Sequence, residues 1–357
     1  MESPVIEIPV KASQPYTVTI GSGLLGECGK YIAKVHKPCK IAVVSDTNVA
    51  PLYLEKVEKS LHESGFETVS FVFPAGEQSK NLHTFADLLE FMAESRLTRT
   101  DLAVALGGGV TGDMTGFAAA SFLRGIPYVQ IPTSLLADVD SSVGGKTAVD
   151  LKAGKNLAGA FMQPLAVLID IDTLQTLTDE FFADGSAECI KYGVLGSERI
   201  LDIYENGDPH ASVQDIIAES VQIKADYVEN DEFDTGLRRY LNLGHTLGHA
   251  IERSSKFGLT HGHAVAAGTV LICRAGEKMG ITEPGTADRL AKINERNDLP
   301  VSTEFSAAVL TDSALNDKKR KGDTIALIIP EKIGKCMTKT VPVTELEGII
   351  KLALGEE

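Results

Sequence analysis

Along the first half of the chain, short apolar runs rich in β-branched residues alternate with longer segments whose apolar positions recur at helical spacing. The runs IAVVSD, TVSFVFP, DLAVALGGG, YVQIPTS and LAVLID have strand length, while PLYLEKVEKSLHESG and LHTFADLLEFMAESR between them carry the helical period. This alternation predicts parallel strands covered by helices. The first of those helices should stop at Gly65, a residue suited to a helix C-terminus. From about Asp172 the strand-like runs give out, and helical periods dominate in ASVQDIIAESVQIKADYVE and LNLGHTLGHAIERSSK. Near the end TIALIIP and CMTKTVP predict a hairpin, and Val343-Thr344 followed by Glu347 predicts a capping box opening a last helix. The expected fold is therefore α/β plus all-α: an α/β domain over residues 1–172 and a mainly helical domain over 173–357.

Composition adds limits. A chain of 357 residues is long for a single core and right for two domains, and 43% hydrophobic with 23% charged residues supports folded cores without disorder. The formal charge of −15 disfavours a nucleic-acid partner and requires any anionic ligand to be held locally. Cys28, Cys39, Cys189, Cys273 and Cys336 form no C-x-x-C pair and have irregular spacing, which suits reduced thiols in a cytosol better than a disulfide framework. The N-terminus lacks a basic, then apolar, leader, and no apolar run approaches the roughly 20 residues that span a bilayer, so no membrane partner is expected.

Three clusters carry candidate chemistry. The strand DLAVAL runs into Gly107-Gly108-Gly109-Val110-Thr111-Gly112-Asp113, where glycines let backbone N–H groups approach a pyrophosphate at a helix N-terminus, as in a Rossmann-like nucleotide-binding domain. A tight turn with close helix packing would read the same way. No acid ends the following strand YVQIP, so Asp46 and Glu77 are the alternatives for a ribose. The second cluster, SLLADVDSSVGGKTAVDLKAGKNLAGAF, gathers Asp140, Gly144, Gly145, Lys146, Lys155 and Asn156 into a polar, glycine-rich stretch suited to anion capture or to an exposed lysine-rich loop. The third is a histidine cluster: His245 and His249 stand four apart on one helical face, and His261 and His263 follow. Neutral imidazoles ligate zinc, usually three protein groups at an open site with a carboxylate among them, and Glu188 one turn before Lys191 is the candidate carboxylate. Histidines at this spacing also occur as ordinary polar or core positions.

Taken together, PAGEQSK, LGGGVTGDMTGFAAASFLRG, PTSLLADVDSSVGGKTAVD, KNLAGAF, AECIKYG, VQIKADYV and RRYLNLGHTLGHAIE closely resemble the 3-dehydroquinate synthase family of sugar-phosphate cyclases, from SDTNVAPLY to the DKK near residue 318. The resemblance implies a nucleotide-binding domain and a helical domain with the active site in the cleft between them. It implies NAD held by Asp46, Asn48, Glu77, Lys80, Gly108, Gly109, Val110, Thr111, Gly112, Asp113, Thr133, Ser134, Asp140, Lys146, Lys155, Thr173, Leu174, Gln175 and Thr176. It implies zinc, with cobalt as a substitute, on Glu188, His245 and His261, and His249 as a nearby polar group rather than a ligand. The implied substrate, 3-deoxy-D-arabino-heptulosonate 7-phosphate, would meet Lys146, Lys155, Asn156, Lys191, Lys224, Arg238, Asn242 and Lys318 or its neighbour Lys319, and Arg124 is expected to reach the site of a neighbouring subunit.

The chemistry the resemblance implies is transient oxidation of the C5 hydroxyl by NAD⁺, β-elimination of phosphate, return of the hydride, and intramolecular aldol closure. The protein is thus expected to be a cytoplasmic homodimer acting on a small sugar phosphate in the shikimate pathway. A sibling cyclase acting on a sugar phosphate without the carboxylate would leave cations such as Arg238 unpaired. An NAD- and metal-dependent polyol dehydrogenase would need no phosphate-binding lysines, and a non-catalytic NAD-binding regulator would need no zinc ligands. One departure stands out: where the family reads His-Gly-Glu, this chain reads His261-Gly262-His263, and His263 is expected to stay off the metal.

Overall fold

The computed structural model describes residues 4–256, 258–315 and 323–356, so Lys318 and Lys319 lie outside the described residues. The chain forms two compact units, one of residues 1–177 and 224–233, the other of residues 178–223 and 234–357.

The first unit is built on a seven-stranded sheet. Its strands are β1 (Ile6–Val10), β2 (Tyr16–Gly21), β3 (Lys40–Asp46), β4 (Glu67–Phe73), β5 (Leu102–Gly107), β6 (Tyr128–Pro132) and β9 (Ala166–Asp170), in the order β1-β2-β9-β6-β5-β3-β4. Every pair but the antiparallel β1–β2 is parallel. The period of two explains why the inner strands read as continuous apolar runs. Ile41 and Val43 of β3 face a core with Ile32 of α1 (Cys28–Val35) and Val57 and Leu61 of α2 (Ala50–Glu63). Ala42 and Val44 face the opposite core, with Leu88 and Met92 of α3 (Leu82–Glu94) and Met114 and Ala118 of α4 (Gly109–Ser121). Both faces are buried, so neither can be polar. Helix α2 ends at Glu63 and Gly65 follows with φ 88°, the left-handed stop expected there.

The stretch with Lys146, Lys155 and Asn156 is not an irregular loop. It forms a β-ribbon of β7 (Lys146–Leu151) and β8 (Gly154–Phe161), paired antiparallel. A Cβ at Gly159 would lie 2.1 Å from the Thr147 carbonyl oxygen, so a glycine there reflects close strand approach as well as flexibility.

In the second unit, α5 (Asp179–Gly196) is buried continuously from Phe182 to Leu195, and α9 (His261–Lys278) from Ala264 to Cys273. They are central helices, with α6 (Glu198–Asn206), α7 (Val213–Asn230), α8 (His245–Ser254), α10 (Thr286–Arg296), α11 (Ala307–Leu315) and α12 (Leu346–Leu354) completing the set. Helix α7 is divided, its residues from Lys224 onward belonging to the first unit. The predicted hairpin is β10 (Thr324–Lys332) with β11 (Lys335–Pro342).

Two expectations are corrected. The helical period through LNLGHTLGHAIERSSK is broken: a 3₁₀ segment ends at Asn242, and α8 starts at His245 after Gly244, whose φ of 75° a continuing helix cannot hold. The capping box at Thr344 and Glu347 does not form, because a 3₁₀ turn over Val343–Glu345 leads into α12 and neither start has a side-chain cap.

Candidate nucleotide and metal sites

In the first unit the chain runs from β3 outward to β4 and then returns to the other side of β3 as β5. Between β3 and β5 the connections diverge, leaving a crevice at the strands' carboxyl ends where open α/β sheets take ligands. Asp46 ends β3, and Gly107 ends β5 immediately before α4. Helix α4 is capped at Gly108 by no side chain, so its first N–H groups, from Gly109, Val110 and Thr111, are set up for an anion. The glycines also serve packing. A Cβ at Gly107 would meet Thr111 Oγ1 at 2.5 Å, and one at Gly112 would meet Gln130 Oε1 at 2.5 Å.

Asp46 uses Oδ1 to accept the backbone N–H groups of Asn48 and Val49, at 2.8 and 3.1 Å, and Oδ2 to accept the Thr111 hydroxyl at 3.4 Å. Thr133 N–H donates to the Gly107 carbonyl at 3.2 Å, and the Ser134 hydroxyl lies beside Gly108. Beyond β9, the 3₁₀ turn with Thr173, Leu174, Gln175 and Thr176 is held by the Tyr53 phenol, 3.1 Å from the Thr173 carbonyl and 2.5 Å from Thr176 Oγ1.

Residues expected on cofactor and on substrate are joined pairwise in this unit. Lys80 Nζ donates to Asp113 Oδ2 at 2.5 Å and to Asn156 Oδ1 at 2.6 Å. Burial works against the Lys80 charge, but Asp113 and Glu77 outweigh it and hold its pKa above the usual lysine value. Lys155 pairs with Glu77 at 3.3 Å, and Lys224 of α7 pairs with Asp140 at 2.9 Å. Lys146 is exposed at the start of β7, after Gly144 and Gly145, both with positive φ. Arg124 is exposed on a turn where Leu123 (φ 49°) and Arg124 (φ 68°) both take the left-handed region.

The second unit concentrates charge where it is least expected. Glu188 and Lys191, each 1% exposed, form an ion pair on the central helix α5. A buried carboxylate needs cationic partners. Glu188 has Lys191 on Oε2, and its Oε1 lies 3.5 Å from His245 Nε2 and 3.6 Å from His261 Nε2. Two ligands about 2.0–2.1 Å from a tetrahedral zinc ion stand about 3.3 Å apart. The carboxylate and two imidazoles thus fit a zinc site in donor chemistry and in spacing. His249 also belongs to the cluster: nitrogens of His245, His249 and His261 all lie within 4.8 Å of one another.

The outer nitrogens are engaged as well. His245 Nδ1 lies 3.0 Å from the Leu243 carbonyl and His261 Nδ1 lies 3.3 Å from Glu252, contacts that direct each Nε2 toward Glu188. Burial alone would depress His261, but the hydrogen bonds to Glu188 and Glu252 outweigh it and push its pKa up to about 10. Glycines bring the three helices close enough for this. A Cβ at Gly268 would lie 2.3 Å from the Gly244 carbonyl oxygen, and one at Gly262 would lie 1.9 Å from that of Asp184. Glu252 and Asp184 had not been singled out in the sequence. Glu252 stands one turn beyond His249 on the same helix face, a spacing that could have flagged it.

His263 is turned to other partners, with Nδ1 at 2.7 Å from Thr260 Oγ1 and 3.3 Å from Asp184 Oδ1. Arg238 is 2% exposed and Asn242 half-buried, both on the 3₁₀ segment before α8.

Residues 70–184 match the 3-dehydroquinate synthase N-terminal family and residues 185–320 the C-terminal one. A 3-dehydroquinate synthase of Streptococcus suis is 42% identical over 341 residues, covering 93% of this chain and 96% of that one. The chain belongs to the 3-dehydroquinate synthase family. Two solved structures share the fold. One is a 2-deoxy-scyllo-inosose synthase complexed with carbaglucose-6-phosphate, NAD⁺ and Co²⁺, with TM-score 0.87, 23% identity and coverage of 97% of this chain and 99% of that one. The other is the 2-epi-5-epi-valiolone synthase of Streptomyces hygroscopicus subsp. jinggangensis 5008 with NAD⁺ and Zn²⁺ bound, with TM-score 0.85, 24% identity and coverage of 99% of both chains. No helix among the described residues is long and apolar enough to cross a membrane.

Proposed function

We propose that this protein is a 3-dehydroquinate synthase, a lyase that converts 3-deoxy-D-arabino-heptulosonate 7-phosphate to 3-dehydroquinate and phosphate. The observation that carries the reading is the convergence of Glu188, His245 and His261 on a buried helix crossing, in a chain of this family that also has the glycine turn after β5. Bound NAD⁺ would supply a reversible hydride acceptor, and zinc, which Glu188, His245 and His261 would hold, would supply a Lewis acid.

The chain's own residues bind, orient and discharge. Asp46, Asn48, Glu77, Lys80, the Gly108–Asp113 turn, Thr133, Ser134, Asp140 and the Thr173–Thr176 turn hold the dinucleotide. Lys146, Lys155, Asn156, Lys191, Lys224, Arg238 and Asn242 are the groups assigned to the substrate's phosphate, carboxylate and hydroxyls. Cations gathered locally in this way let a chain of net charge −15 hold an anionic substrate. Lys191, buried against Glu188, also fixes the ligand carboxylate, and His249 stands beside the ligands as a nearby polar group. Arg124, exposed on its strained turn, serves the neighbouring subunit of a homodimer, and the reaction runs in the cytoplasm.

Substrate discrimination tests the assignment. Supplied with NAD⁺ and zinc, the enzyme should consume the heptulosonate phosphate and ignore a heptulose phosphate lacking the carboxylate. A preference for the uncarboxylated sugar would replace this reading with that of a sibling cyclase.

A further inference from the structure

The first turn of α9 is held by a contact from another helix. Its N-cap, Thr260, makes no capping bond from its side chain, and the Thr260 hydroxyl engages His263 Nδ1 at 2.7 Å instead. The N–H that Thr260 would ordinarily satisfy, that of His263, donates to Asp184 Oδ1 at 3.1 Å. The same Asp184 oxygen lies 3.3 Å from His263 Nδ1. Asp184 belongs to α5 and is 7% exposed, one turn before Glu188 on the same face. A carboxylate on α5 therefore caps α9, at the point where Gly262 lets the two backbones touch. His261 is the first residue of α9, so its direction depends on how that turn is anchored. His263, two positions on, points to a different side of the helix from His261.

We propose that Asp184, with His263 and Thr260, is a positioning clasp that fixes the separation of Glu188 on α5 from His261 on α9 and thereby sets the affinity and geometry of the metal site. The inference rests on the assignment of Glu188, His245 and His261 as ligands. Asp184 and His263 act through the two ligands they tie together.

Cobalt is the probe, because its visible absorption reports ligand geometry independently of turnover. The metal-free protein is titrated with Co²⁺ against a competing chelator, for the parent and for Asp184→Ala, Asp184→Asn, His263→Ala and His261→Ala. Asp184→Ala should weaken cobalt binding about 10- to 100-fold and change the absorption bands, while Asp184→Asn, which keeps an oxygen acceptor for the His263 N–H, should stay within about threefold of the parent. His263→Ala keeps the backbone cap and loses the ring contacts, so a roughly tenfold loss in the same direction is expected, and it decides the matter should Asp184→Ala fail to fold. A purely structural role would lower the unfolding temperature and leave affinity and bands unchanged below it. Parental affinity and spectrum in Asp184→Ala, or in His263→Ala where the first does not fold, overturns the clasp. Stoichiometric cobalt retained by His261→Ala would instead overturn the ligand assignment beneath it.

Discussion

Gly262→Ala puts the helix crossing under direct load. A Cβ at this position would stand 1.9 Å from the Asp184 carbonyl oxygen and 2.6 Å from its carbon, where contacts below 3.0 Å essentially never occur. The obstacle is backbone on a buried helix, so no side chain can swing aside. Relief requires α5 and α9 to separate by about 1.1 Å, the difference between 3.0 and 1.9 Å. Metal–ligand distances tolerate about 0.2 Å. Glu188 Oε1 and His261 Nε2, now 3.6 Å apart, lie on the two helices being parted, so the displacement exceeds that tolerance several-fold. Zinc affinity should fall about 100-fold or more, removing about 2.7 kcal/mol or more of zinc-linked stabilisation when zinc is in large excess. Overpacking should also cost the metal-free protein about 1–3 kcal/mol. Chelator competition gives the affinity, and denaturant melts with and without zinc give the two stabilities. Gly348→Ala is the control: nothing lies within 4 Å of its Cβ on α12, so it should leave zinc binding alone and stabilise by up to about 1 kcal/mol. A Gly262→Ala protein with parental zinc affinity would refute the claim that this contact sets the ligand spacing.

Further outcomes follow from the same geometry. With His261 pushed up to about 10 in the metal-free protein, its ion pairs stabilise the fold fully below pH about 6.5 and cease to do so as pH rises through 10. Zinc must displace that proton, so calorimetry in buffers of different ionisation enthalpy at pH 8 should show about one proton released per zinc, and release of none would contradict the His261 assignment. Arg238→Ala, at a position 2% exposed, should cost about 3–5 kcal/mol in kcat/KM toward the carboxylated substrate, and a loss under about twofold would remove Arg238 from the site. Lys80→Met leaves the half-buried Asp113 without its cation and should weaken NAD⁺ binding at least about tenfold by calorimetric titration; unchanged affinity would confine Lys80 to a structural role.

Much of the first unit was legible because its inner strands are buried on both faces, and such strands read as unbroken apolar runs bounded by turns. The β7–β8 ribbon was not, since Gly154, Gly159 and the lysines hide a period of two, and the close backbone approach at Gly159 that explains its composition exists only in three dimensions. The same holds for α8, whose helical period continues through Gly244 in the sequence while Thr269 presses on that glycine in the fold. Of the metal cluster, the residue types and the spacing of His245 and His249 were visible, but spacing within one helix cannot say which groups on α5 and α9 arrive beside them. Asp184 was missed for that reason, since its partner His263 lies 79 residues away, whereas Glu252, nine residues from His261, was open to a reading of helical spacing.

The central claim is that hydride leaves and returns within each turnover, which separates a cyclase from a polyol dehydrogenase on the same architecture. Purified enzyme, zinc, the heptulosonate phosphate and a trace of NAD⁺ should release phosphate many times in excess of the added NAD⁺ while NADH absorbance stays flat. NADH accumulating in step with substrate consumed would contradict the account.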